Sequence, residues 1–185
     1  MNIKKLSKSL RKFRVFHRWL GLGLALLLII SAVTGVLLAL KKDIDVIQPP
    51  TQKGSSKDLS DWKPLAEIST LAETAFHEAH PDQRENLVDR LDVRPSKGIV
   101  KVLFEKGYWE VQIDGKSGAI KSIAKRHSDW IENLHDGSII SDSFKLVSMN
   151  VLGFGLLFII ITGTWLWFGP RKVRKEKRKK LKIDR

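Results

Sequence analysis

Two stretches of this chain carry no charge. Trp19–Leu40 and Val147–Phe168 are each 22 residues long. An α-helix rises about 1.5 Å per residue, so about 20 apolar residues cover the hydrocarbon core of a bilayer. Lipid offers no hydrogen-bond partner to a backbone amide, so a run that crosses it must be helical. That leaves two tails and one middle segment, residues 41–146 of 185, to be placed on either side of a membrane. The first run is much longer than the ~7–15 apolar residues of a cleaved signal peptide. It ends Leu38-Ala39-Leu40-Lys41-Lys42, without a small-x-small cleavage site, and reads as an uncleaved signal anchor.

Charge sets the expected orientation. A net charge of +13 would by itself suggest a nucleic-acid partner. Its distribution does not. Residues 1–18 hold seven Lys/Arg and no acid, residues 171–185 hold ten against Glu176 and Asp184, and everything between sums to −2. Both spans therefore have their basic flank on the same side. The positive-inside rule predicts cytoplasmic termini and a middle segment outside. Phe16, Trp19, Trp165, Trp167 and Phe168 gather at the predicted inner interface. Topology accounts for the tails without nucleic acid, and acidic lipid is an added contact. The spans hold no ionisable residue, which argues against a transport pathway. The absence of cysteine excludes disulfides, thiolate metal sites and a cysteine nucleophile.

Gly21/Ala25 and Ser31/Gly35 are small-xxx-small pairs that allow close helix packing, although glycine is also simply common in membrane helices. The second span repeats the texture. Leu20-Gly21-Leu22-Gly23 matches Leu152-Gly153-Phe154-Gly155, and Thr34-Gly35 matches Thr162-Gly163.

The middle segment reads as a linker over 41–61, a small folded domain over 62–125 and a connector over 126–146. The stretch Gln48–Ser60 is rich in Pro, Ser, Gly and Lys. Leu65, Ile68, Ala72, Ala75, Phe76 and Ala79 recur at helical spacing, and Pro81 ends that helix. Alternation predicts strands with Leu87, Leu91 and Val93 on one face, then Val100, Val102 and Phe104, then Trp109, Val111 and Ile113, with Glu110 and Gln112 facing away. Lys106-Gly107 is a hairpin turn, and Ala119–Ile123 is a fourth, weaker strand. The fold class is an α+β membrane protein, in which two transmembrane helices flank a small domain of one helix on an antiparallel sheet.

The order of parts resembles the PepSY-associated transmembrane helix family. The resemblance rests on His17-Arg18-Trp19-Leu20-Gly21, Thr34-Gly35, the Trp109–Gly118 strand and turn (WEVQIDGKSG), Leu134-His135-Asp136-Gly137, and Thr162-Gly163-Thr164-Trp165-Leu166-Trp167. It implies a PepSY-like middle domain. Larger members are similar to inner-membrane reductases that reduce ferric siderophores with haem b held by helix histidines. The resemblance thus implies haem b, iron chemistry and electron transfer. This chain has two spans where those have four or more.

His17 and His135 are the candidate haem ligands. His17 opens the first span and His135 precedes the second, ~35 Å apart by helix rise. They cannot ligate one haem within a chain, so a homodimer or a partner subunit must supply the second axial ligand. The bland alternatives are an interfacial His17 among Arg14, Arg18 and lipid phosphates, and a His135 capping a short surface helix with Trp130, Ile131 and Leu134. His77-Glu78-Ala79-His80 has its histidines at i, i+3, one residue short of the H-E-x-x-H zinc motif. A weak metal site with Glu73 competes there with a solvated helix face, and His127 reads as solvated. The competing functional class is a non-catalytic membrane anchor whose PepSY domain binds a partner protein or peptide.

Overall fold

The structure is a computed structural model that describes residues 3–183. The chain divides into two compact units. One comprises the residues up to Thr34 with those from Leu134 onward, and the other is Gly35–Asn133.

The first unit is built on two long helices, α1 (Ile3–Ala39) and α4 (Asp142–Ile183). Both are long and apolar enough to cross a membrane. They run antiparallel. Leu10 meets Gly169, Phe13 meets Trp165, His17 meets Thr162 and Leu24 meets Gly155. The spacing is seven on each helix, 10-17-24 against 169-162-155. A seven-residue repeat keeps one seam facing its partner along the whole length. Large side chains of α1 fill notches in α4. A Cβ on Gly155 would lie 2.3 Å from Leu24 Cδ1, and one on Gly169 would lie 2.2 Å from Leu10 Cδ2. The small residues that make the seam are therefore Gly155 and Gly169. A Cβ on Gly21, of the Gly21/Ala25 pair, or on Gly23 or Gly153 of the repeated glycine texture would meet nothing within 4 Å among the described residues. Leu22, Leu26, Ile29, Phe154, Leu157 and Phe158 point outward and are exposed, as lipid-facing residues must be.

The second unit carries α2 (Leu65–Ala79) and four strands, β1 (Val88–Arg94), β2 (Ile99–Phe104), β3 (Trp109–Asp114) and β4 (Ile120–Lys125). Every neighbouring pair is antiparallel, in the order β1-β2-β3-β4. The helix packs on one face of this meander. Ile68, Ala72 and Phe76 interlock with Val100, Val102, Phe104, Val111 and Ile113, ringed by Trp62, Trp109 and Ile123. Leu65 and Ala79, expected on the buried face, are exposed at the helix ends. One strand phase also changes. The register of β1 shifts between Val88 and Arg90, so Val88 joins Leu91 and Val93 against the core. Leu87 is left 59 % exposed. A bulge inserts one residue and moves everything before it to the opposite face.

The second sheet face is charged and equally buried. Lys101, Glu110 and Gln112 are no more than 1 % exposed. Glu110 and Gln112 do point away from α2, but toward cover. The stretch composed like a linker lies across them. Gln52 N donates to Gln112 Oε1 at 2.8 Å, and Gln112 Nε2 donates to Pro50 O at 3.1 Å. Gly54 N donates to Lys97 O at 2.8 Å, and a Cβ on Gly54 would sit 1.8 Å from Gly98 O, so only glycine permits this approach. Ser55 anchors the segment on Asp114 with two bonds of 2.8 Å. A last helix, α3 (His127–Asp136), follows the sheet.

Candidate functional site

The two candidate ligands both belong to the first unit, and each is gripped by a threonine of the opposite span. His17 sits on α1, on the half carrying the basic tails. Its Nδ1 lies 2.7 Å from Thr162 Oγ1 on α4. His135, at the end of α3, has its Nδ1 2.9 Å from Thr34 Oγ1 on α1. The arrangement repeats at two depths, α1 supplying His17 to Thr162 of α4 and Thr34 to His135 of α3. Thr34 and Thr162 are 4 % and 2 % exposed, whereas both imidazoles are half-buried. Neither Nε2 has a hydrogen-bond partner among the described residues.

The contact with Thr34 lowers His135 into the span. Thr34 lies five residues before the end of α1, so the ring sits below the helix end instead of on a surface turn. Seventeen residues of α1 separate His17 from the level of His135, about 25 Å of rise. The ~35 Å expected from the sequence thus shortens, because His135 bonds Thr34 inside α1 and not beyond its end. The structure does not bring the two histidines together.

Neighbouring residues frame the contact on each side. Gly163 follows Thr162, and a Cβ there would meet His17 Cε1 at 3.4 Å, an ordinary van der Waals distance. One turn further, Trp165 packs edge-on against Phe13 with centroids 6.5 Å apart. Its indole N–H is buried with no acceptor among the described residues. The Asp136 carboxylate beside His135 pairs with Lys145 at 2.5 Å, and Ser148 Oγ donates to Asp136 O at 3.2 Å, fixing the turn into α4. The threonines were visible in the sequence only as repeated Thr-Gly texture, and nothing there tied them to the histidines.

The other histidines are structural or exposed. His77 Nε2 donates to Asn86 O at 3.1 Å. His80 stacks on Phe76 at 5.0 Å and meets Trp109 at 4.2 Å. His127 is exposed at the start of α3. No group of three or more His, Cys, Asp or Glu residues suited to a metal ion occurs among the described residues.

In the second unit, Glu110 is the centre of a buried ionic chain. Lys101 Nζ donates to it at 3.1 Å, Arg126 at 3.0 Å and Gln112 Nε2 at 2.7 Å. Arg126 continues to Asp129, which Arg90 also reaches at 3.3 Å. Each charge has an opposite partner, as burial demands. Asp114 is a second hub. Burial opposes its ionisation, but bonds from Ser117 N, Ser55 Oγ, Lys116 N and Ser55 N outweigh that and hold its carboxyl at about 2.

The fold and the paired spans define a membrane protein with an α+β domain inserted between two transmembrane helices. More particularly, the chain belongs to the family described as the PepSY-associated TM region, whose model matches residues 14–184. No curated protein and no solved structure matches it.

Proposed function

We propose that this protein is an inner-membrane electron-transfer or ferric-siderophore-reductase-like subunit that holds haem b between chains through His17 and His135. Its termini are cytoplasmic and its α+β domain periplasmic on this reading. One observation carries it. On each half of the span pair a histidine is anchored through Nδ1 and keeps Nε2 without a partner. Metal-ligating imidazoles are held in this manner, by a hydrogen bond on the far nitrogen. The donor chemistry suits haem iron, which His17 and His135 would hold through an imidazole nitrogen. The unclaimed indole N–H of Trp165, one turn from Thr162, suits an acceptor group beside His17. Each half offers one such histidine, so a second chain or partner subunit completes the pair. A Cβ at Gly21, Gly23 or Gly153 would meet nothing within 4 Å among the described residues, so these positions admit another helix closely. When bound, haem supplies a one-electron carrier. The protein's part is to fix both rings, exclude water from the threonine contacts and hold the two sites about 25 Å apart.

The test is a visible spectrum of the detergent-purified protein after expression with ample haem. A Soret band is expected. His17→Ala and His135→Ala should each retain about half of it per chain, the double variant none, and dissociation of the oligomer should release all. A colourless protein overturns the reading. Orientation is checked by a reporter active only in the periplasm, silent after Arg185 and active within residues 53–57.

A recess of about 510 Å³ on the second unit favours a second reading, in which the domain binds a basic peptide or partner protein. It is lined by Asp89, Glu105, Asp129 and Glu132, with Tyr108 and Trp109, and by Arg90, which is already paired with Asp89 and Asp129. Titration of the full chain with a Lys/Arg-rich peptide should show binding that Glu105→Gln with Glu132→Gln removes.

A further inference from the structure

Each threonine of the span pair is close to two polar atoms at once. Thr34 Oγ1 lies 2.6 Å from Ile30 O and 2.9 Å from His135 Nδ1. Thr162 Oγ1 lies 2.6 Å from Phe158 O and 2.7 Å from His17 Nδ1. A hydroxyl has a single proton to donate. Two oxygens 2.6 Å apart repel unless that proton lies between them, and both sites show this separation to the carbonyl one turn back. The proton is therefore committed to the helix backbone. What each threonine turns toward its histidine is a lone pair, which only accepts, so the imidazole must be the donor. A neutral imidazole that donates from Nδ1 has a bare lone pair on Nε2.

We infer that Thr34 and Thr162 are positioning residues that lock His135 and His17 in the Nδ1–H tautomer, leaving Nε2 as the accepting atom on each half of the helix pair. The burial of both hydroxyls keeps water from competing for either lone pair. A helical threonine whose hydroxyl bonds back to the preceding turn has its χ1 set by that bond, so the acceptor is held rigid as well as oriented. The inference follows from hydrogen-bond geometry together with the cost of placing a charged ring within a span. It does not rest on the haem reading, and the two fail separately.

The experiment uses the full chain, purified without haem, labelled with ¹⁵N-histidine and placed in lipid nanodiscs. The imidazole resonances are assigned with His17→Asn and His135→Asn. Both residues should show a protonated Nδ1 and an unprotonated Nε2. Thr162→Val should abolish the single tautomer at His17 and leave His135 unchanged, and Thr34→Val should do the converse. Thr162→Ser and Thr34→Ser, which keep the acceptor, should preserve it. A protonated Nε2 in the unsubstituted protein overturns the inference, as does a tautomer that survives the valine change. Should the valine variants fail to fold, the unsubstituted spectrum still decides. A locked tautomer in a protein that takes up no haem leaves this inference standing and removes the proposed function.

Discussion

The span pair and the sheet domain bury polar groups in opposite ways. The domain encloses full charges, with Glu110 meeting Lys101 and Arg126 under a strap of backbone. The charge-free spans have few polar contacts, chiefly those of Thr162 with His17 and of Thr34 with His135. The surroundings explain the difference. Arg126 remains 13 % exposed, so the ionic chain of the domain reaches water at its rim and each ion has several partners. A helix pair in lipid has no rim, and a charge there is expensive. It also has little area to bury, since only one seam of each helix meets the other, whereas the sheet is covered on both faces. Stability in the domain therefore resides in many overlapping contacts. In the spans it resides in a few matched positions.

If that contrast holds, the largest losses come from the domain. Phe76→Ala removes a fully buried aromatic against Phe104 and Trp109, and should cost about 3–5 kcal/mol in denaturant titrations of the full chain. Glu110→Gln leaves Lys101 without a carboxylate and Arg126 with Asp129 alone, and should cost about 3 kcal/mol. A small effect there would mean that water enters the charged face. Acid should weaken the domain next. The Asp114 carboxyl ionises more easily when folded, at about 2 against an ordinary 3.8. Its contribution is full above the unfolded value and fades as pH falls from 3.8 toward 2, roughly 2 kcal/mol in all. Asp114→Asn should abolish that part of the acid sensitivity.

Effects in the spans should be smaller and position-specific. Gly155→Leu drives a side chain into Leu24 and should cost about 1–2 kcal/mol, read from thermal loss of helicity. Gly21→Leu meets nothing and should leave the transition in place. Equal sensitivity at both would show that the seam lies elsewhere. Thr162→Val should cost about 1 kcal/mol at most, in keeping with single polar contacts between membrane helices.

Much of this architecture is legible in the chain itself. Charge-free runs of 22 residues specify spans because hydrocarbon has no tolerance for an unpaired backbone. Alternation at Val100, Val102, Val111 and Ile113 specifies strands because side chains leave a sheet with period two. The sequence also singled out His17 and His135 as the histidines that flank the spans. Three features were decided only in three dimensions. The seam uses Gly155 and Gly169 instead of Gly21, because which face of a helix finds a partner depends on the rotation of both helices, and a small-xxx-small pattern marks faces without choosing among them. The bulge at Val88 moved Leu87 out of the core, because register is settled by pairing between strands and not within one. The pairing of His17 with Thr162 and His135 with Thr34 joins residues 145 and 101 positions apart. No local pattern encodes such a meeting. It exists because the tertiary fold brings distant hydroxyls and imidazoles to the same depth.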